Sequence, residues 1–355
     1  MPAKAGIQAA VASCVFFAAN AFAANPTIET QSSGVTVRLR GISAIDENTA
    51  WASGREGTVL RTLDGGQTWV NVSVPDAKAL DFRDVEGFDA STAVVLSIGP
   101  GEQSRVYRTQ DGGRSWTLAL KNDDERAFFD CMVFKGNTGW MLGDPVDGRY
   151  QIRETQDGGR TWTLWKNGPE AMKDEAAFAA SGTCIAHTAS GQLVAVGGGA
   201  AARVHHFMYG EIWSADETRM QHRIPAAGIF SIATIGDDAL LVGGDFENET
   251  QGSAAWMWFG RKQTSMDPLP PPRGYRSGAA CFSKSLCIAV GPTGVDALDS
   301  PAEGTPTWRP LSDVGYDAID RAGMTAWASG DKGRIAKITF ASKAPQAAAA
   351  PTSTR

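Results

Sequence analysis

Ala50-Trp51-Ala52-Ser53-Gly54 returns letter for letter as Ala326-Trp327-Ala328-Ser329-Gly330, 276 residues downstream, which is six steps of 46. The two ends of the chain are copies of one unit. The same cue, a short apolar run closed by glycine, recurs between them, so that units end at Gly54, Gly99, Gly143, Gly197, Gly243, Gly291 and Gly330. That makes seven.

Three units carry a second signature: Asp64-Gly65-Gly66-Gln67-Thr68-Trp69, Asp111-Gly112-Gly113-Arg114-Ser115-Trp116 and Asp157-Gly158-Gly159-Arg160-Thr161-Trp162, with the aspartates 47 and 46 residues apart. The first unit resolves into alternating runs at Arg40 to Ile45, Thr49 to Ser53, Thr58 to Thr62 and Thr68 to Val72, separated by turn residues. Four short antiparallel strands in about 45 residues are the size of one propeller blade, and helical periodicity is nearly absent. The fold class predicted is all-β, a seven-bladed β-propeller over residues 35–340. The seventh unit, Tyr316 to Phe340, supplies only three strands. Val35-Thr36-Val37-Arg38-Leu39 is a spare strand, expected to close the last blade and abolish the open edge, with 24–34 as a linker before it.

Lys4, the apolar run Ala9 to Ala19 and the Ala21-Phe22-Ala23 site read as a secretory signal peptide over 1–23, cleaved after Ala23. The run is too short to span a bilayer, and Cys14 falls in a weak lipoprotein-like box. The expected location is periplasmic or secreted, with 341–355 a disordered Ala/Pro-rich tail and the protein a monomer without stable membrane insertion. Beyond Cys14 four cysteines remain. Cys281 and Cys287 flank a hairpin turn, and Cys131 and Cys184 occupy matching places in units three and four; each pair is either a disulfide or two buried thiols.

With 33 Lys and Arg against 39 Asp and Glu, and no basic tract, composition argues against a nucleic-acid partner. Gly197-Gly198-Gly199 follows a strand without opening a helix, so it is not a nucleotide loop. His187, His205, His206 and His222 have no metal-ligand spacing. Neither cofactor nor metal is expected.

The aspartates 64, 111 and 157 and the tryptophans 69, 116 and 162 have a structural reading: the carboxylate accepts turn N–H groups, the glycines allow positive φ, and the indole pins the outer strand. These sequences resemble Asp-boxes, or BNR repeats, found in sialidases, xyloglucan hydrolases, sortilin-like receptors and photosystem II assembly factors. Units four to six lack the box, which predicts irregular outer edges there. Arg223-Ile224-Pro225 matches a sialidase motif, but it follows the boxes instead of preceding them, and the blade count is wrong for that family.

In a four-stranded blade, the entry to strand one and the loop between strands two and three share a face opposite the boxes. Onto that face fall Leu39-Arg40-Gly41, Phe82-Arg83-Asp84, Ile229-Phe230-Ser231 and Tyr275-Arg276-Ser277, together with Asp144, Arg203 and Asp245 in the later loops. A long connection, Asn167 to Ala180, adds Glu170, Asp174 and Glu175. The segments Gly143 to Arg149, Glu175 to Cys184 (with Ser181), Gly197 to Val204, Ala227 to Ile232, Gly243 to Phe246, Gly274 to Ala280 and Gly291 to Gly294 resemble a group of secreted bacterial propellers related to the photosystem II assembly and stability factor.

Two functions are compatible with these residues. One is a non-catalytic propeller binding a protein partner or an anionic or carbohydrate ligand through Arg40, Arg83, Asp144, Ser181, Arg203, Ser231, Asp245 and Arg276. The other is a glycoside hydrolase or lyase drawing an acid and base from Asp144, Glu175 and Asp245, with Phe230, Phe246 and Tyr275 as aromatic platforms. The first requires Arg40, Arg203 and Arg276 to meet in one pocket near Asp144 and Asp245.

Overall fold

A computed structural model describes residues 25–208, 212–260, 264–300 and 304–340; the expected signal peptide and cleavage site, Cys14 and residues 341–355 lie outside them. Seven antiparallel sheets form a seven-bladed propeller. Blade one comprises Leu39–Ala44, Ala50–Gly54, Val59–Thr62 and Val70–Asn71 in sheet order, and the later blades repeat this hairpin succession. Among the described residues no helix is long and apolar enough to cross a membrane.

The ring closes through an N-terminal strand, but not the one expected. Thr27–Gln31 pairs antiparallel with Ile335–Thr339 as the fourth strand of blade seven. Residues 24–34 are therefore not merely a linker, and Val35 to Arg38 bridge the last blade to the first. The physical reason is reach: Leu39 already pairs with Gly54 in blade one and its N–H donates to Gly330 O, so Val35 to Leu39 are too near the axis to serve the outer edge.

The duplicated pentapeptide makes the same contact twice. Both tryptophans are fully buried. Trp51 Nε1 donates to Asp89 O of blade two at 2.9 Å, and Trp327 Nε1 donates to Asp46 O of blade one at 3.3 Å. Each indole thus seals the seam to the next blade, and the seam where the chain ends meet is built like the others. Burying an indole while satisfying its N–H combines apolar area with one directional bond.

The Asp-Gly-Gly turns also repeat their chemistry. Asp64 Oδ1 and Oδ2 accept the N–H and Oγ1–H of Thr68 at 2.9 and 2.6 Å; Asp111 and Asp157 do the same with Ser115 and Thr161. The Thr68 bonds hold Asp64 at about 2. Trp116 Nε1 reaches back to Val72 O of the preceding blade at 2.8 Å, and Trp69 Nε1 reaches Gln31 Oε1 at 3.0 Å. Gln31 Nε2 returns a bond to Gly65 O at 2.9 Å. Gly66, at φ 85°, has no room for a Cβ because the Gln31 amide lies against it.

Along their described outer strands the blades lacking the box stay paired, without a break in blades four and five and with one register shift, between Val295 and Asp296, in blade six. Their outer strands, Ile212–Glu217, Thr264–Pro268 and Thr307–Ser312, run five or six residues; among the boxed blades the outer strand has two residues in blades one and three and five, Thr117–Lys121, in blade two.

Cys131 is joined to Cys184 (Cα–Cα 5.9 Å) and Cys281 to Cys287 (Cα–Cα 4.0 Å). The first links the opening of blade three to that of blade four; the second crosses the first hairpin of blade six. Most of the core is the apolar layers between adjacent blades, the largest spanning blades three to five.

Candidate functional site

Strand one of several blades is entered through a bulge. The register skips Arg40, Arg83, Asp130 and Phe230, each directly after a buried apolar residue, Leu39, Phe82, Phe129 or Ile229. A bulge leaves the extra residue outside the ladder and re-aims its side chain. Tyr275-Arg276 and Tyr316-Asp317 repeat the doublet in blades six and seven.

On the face opposite the Asp-Gly-Gly turns these side chains frame an axial cavity of about 290 Å³, lined by Arg38, Arg40, Arg83, Phe178, Ala179, Ala180, Phe230, Phe246, Glu249, Tyr275, Pro292 and Asp317. One wall is aromatic. Phe178 stacks on Phe230 with centroids 3.9 Å apart, Tyr275 meets Phe230 edge-on at 4.7 Å, and Phe246 forms a lip 46% exposed. The other wall is cationic. Arg38 makes a two-bond pair with Asp317, through Nε at 2.8 Å and Nη2 at 2.5 Å. Arg83 Nε donates to Asp81 at 3.1 Å and its Nη1 to Ala179 O at 2.8 Å.

Arg40 is different. It is 8% exposed, its Nη2 donates to Ala180 O at 3.1 Å, and its Nε has no acceptor. Among the described residues it forms no ion pair. Burial, reinforced by Arg83, lowers its pKa to about 10. An unpaired buried charge of this kind is costly and calls for an anion.

The Asn167 to Ala180 connection supplies the cavity floor. Glu175–Ala176 pairs with Gly198–Gly199 as a small extension of blade five's sheet. Glu175, its side chain fully buried, accepts Arg203 Nε at 3.0 Å and Arg203 Nη2, His205 Nε2 at 3.3 Å and the Met172 N–H at 2.8 Å. Burial raises its pKa, but the bonds from His205, Arg203 and Met172 outweigh this and hold it at about 2. Asp144 Oδ1 accepts the Ala177 N–H at 2.9 Å. Thus anchored, the connection delivers Phe178 to the aromatic wall and two carbonyls to the arginines.

The expected convergence is only partly realised. Arg40 and Arg83 share the cavity; Arg203 and Arg276 do not. Arg276 is wholly buried and spends its donors on Asp296, Tyr275 O and Thr293 Oγ1. Arg203 is committed to Glu175 beneath the connection. Their loops do arrive on the predicted face, but a carboxylate within the same or the next blade captures each guanidinium. Ser181 Oγ donates to Ser277 O at 2.6 Å, and Ser231 Oγ accepts from Thr183 Oγ1 at 2.7 Å and from the Ala279 N–H at 3.1 Å, so both serines tie blades together. Asp245 caps its own turn by accepting the Glu247 N–H at 2.9 Å. Asp144 and Asp245 are not among the residues lining the cavity.

Five cavity or near-cavity residues escape a reading of the sequence: Arg38, Asp130, Phe178, Glu249 and Asp317. Asp130 and Asp317 carry a usable signal, the apolar-polar doublet shared with Leu39-Arg40. Arg38 is hidden by assignment to a closing strand, and Phe178 by attention to the carboxylates around it. Toward the opposite face a second cavity of about 370 Å³ is lined in part by Asp84, Glu86 and Asp320, all raised in pKa chiefly by burial.

Asp144 gives a pH signature. Burial lifts its pKa to about 6, partly opposed by the Ala177 N–H. A raised folded pKa means stability fully present below the unfolded value and lost as pH rises through about 6. Asp144→Asn should abolish that loss, gaining roughly 2–3 kcal/mol relative to wild type between pH 4 and 7 in urea unfolding. A constant difference across this window would refute the assignment.

No family model and no curated protein matches the chain. Solved structures do. YCF48 from Cyanidioschyzon merolae superposes with a TM-score of 0.63 at 18% identity, over 88% of this chain and 98% of that one. A structure described as YCF48 bound to D1 peptide gives 0.61 at 16% identity, over 88% and 97%. Virginiamycin B lyase from Staphylococcus aureus gives 0.63 at 14% identity, over 89% and 100%. At these identities the likeness is one of fold: this chain is a seven-bladed propeller similar in architecture to a binding protein and to an enzyme.

Proposed function

We propose that this protein is an exported, non-catalytic propeller that docks a protein partner or anionic ligand on its arginine-rich axial face. The observation that carries this reading is Arg40, a buried guanidinium left without a counter-charge beside an open aromatic wall. The peptide-bound YCF48 neighbour supports a propeller of this architecture as a peptide-binding scaffold. Two disulfides and the leader-like N-terminus support an oxidising compartment. The ring is expected to act as a monomer, without cofactor or metal.

The test is selection of an acidic peptide library on the mature protein. Arg83→Glu, at a partly exposed guanidinium, should weaken the selected peptides by about tenfold or more, with Arg309→Glu at the outer rim as an unaffected control. Equal losses in both variants would mean that global charge, and not the axial face, drives binding.

The enzymatic alternative has one observation in its favour beyond the lyase neighbour. Burial holds Asp144 up at about 6 while its bonds hold Glu175 down at about 2, and environments that split two carboxylates are a mark of acid-base pairs. Glu175, however, is locked by Arg203 and His205. Turnover of an oligosaccharide panel, lost in Asp144→Asn, would reverse the preference.

A further inference from the structure

We infer that the group recognised at the axial cavity is a single carboxylate carried next to an apolar or aromatic side chain, as at the free C-terminal end of a peptide; this rests on the docking reading above. The charge count is the first argument. The lining holds three guanidinium groups and two carboxylates, those of Asp317 and Glu249. Arg38 is neutralised by Asp317, and Arg83 leans on Asp81, which also lies 3.7 Å from Arg55. The lining alone therefore carries a net charge of plus one, and Arg40 is its guanidinium without an ion-pair partner among the described residues. A dianion such as phosphate would exceed that charge and meet Glu249 as well.

Donor geometry is the second argument. Only Nη2 of Arg40 is engaged, by Ala180 O. Among the described residues neither Nε nor Nη1 has an acceptor. Nε is sealed from the cavity, whereas Nη1 and the second N–H of Nη2 form the terminal edge of the guanidinium, which a planar carboxylate can meet with two parallel bonds.

Size is the third. About 290 Å³ lies at or below the small end of ligand pockets, so charge and apolar group must come from one residue. A chain end places both on a single carbon and needs only one exit for the backbone. An internal Asp or Glu would need two. Phe230, Phe178, Tyr275 and the exposed Phe246 offer ring faces and edges to the terminal side chain.

The experiment compares fluorescein-labelled Ala-Ala-Ala-Phe with a free terminal carboxylate, the same peptide as its amide, and an amidated peptide with an internal Glu, by anisotropy on the mature protein. The free acid should bind about tenfold or more tighter than either amide. Arg40→Gln should erase the difference, and Arg40→Lys, which keeps charge but not the fork, should restore only part of it. N-acetylphenylalanine as competitor separates the sources: displacement at the peptide's own affinity supports a free small acid, and displacement only by the peptide supports a chain end. Equal binding of acid and amide to wild type overturns the inference without any variant having to fold, as does stronger displacement by inorganic phosphate or the internal-Glu peptide. If Arg83→Glu still abolishes acidic-peptide selection in that case, the docking face stands and only the identity of the recognised group falls.

Discussion

A mature chain lacking residues 25–32 should lose about 5 kcal/mol or more of stability and associate through blade seven. Thr27–Gln31 makes five cross-strand pairs with Ile335–Thr339, each hydrogen bond contributing roughly 0.5–1.5 kcal/mol net. Ile28 packs on the blade-seven core, which adds on the order of 1–2 kcal/mol for its burial. Gln31 adds its two bonds to the blade-one turn. The sum rivals the whole margin of an ordinary domain. The deletion also bares the Ile335–Thr339 edge, a template for intermolecular pairing. Thermal unfolding with light scattering checks this, and the synthetic segment added in trans should recover much of the loss. A truncated chain that melts as a monomer at the wild-type temperature would show that the other seams alone hold the ring.

Glu175→Ala should cost about 3–5 kcal/mol, because it strands Arg203 and His205, whose side chains are 11% and 2% exposed, without their shared anion. Glu175→Gln should cost less, since its amide oxygen can still accept one bond. The pH dependence identifies the mechanism. A folded pKa of about 2, below the usual 4.5, contributes stability that is present above the unfolded value and lost as pH falls through the folded one. The gap between wild type and Glu175→Gln should therefore shrink by up to about 3 kcal/mol from pH 5 to pH 2, opposite in sign to the Asp144 effect. Urea unfolding across that range measures both. A gap that does not move with pH would place the cost in packing. The loss should reach the axial cavity too, since the same connection carries Phe178 and the carbonyls that Arg83 and Arg40 hold.

Much of this is visible before any coordinates. The duplicated Ala-Trp-Ala-Ser-Gly marks both ends of the ring because each tryptophan must seal an identical seam, and identical seams select identical residues. The Asp-Gly-Gly turns are legible for the same reason: Asp64, Asp111 and Asp157 satisfy their own local N–H groups, so their spacing alone reports their geometry. Arg40, Arg83 and Phe230 are legible because a bulged entry recurs in register. Ion-pair partners are another matter. Arg40, Arg203 and Arg276 look equivalent in sequence, and only the fold shows Arg203 meeting Glu175 from the preceding connection and Arg276 meeting Asp296 within its own blade.

By itself, then, the sequence determined whatever is local and repeated: seven blades, four strands in each, the boxed turns, and the face on which the variable loops gather. Tertiary structure alone decided which strand closes the ring, which carboxylate neutralises which arginine, and that Arg40 remains without one. The difference is physical. A turn or hairpin is set by interactions a few residues apart, whereas the pairing of a buried charge depends on side chains such as Arg38 and Asp317, 279 residues apart along the chain, that meet only once the ring has closed.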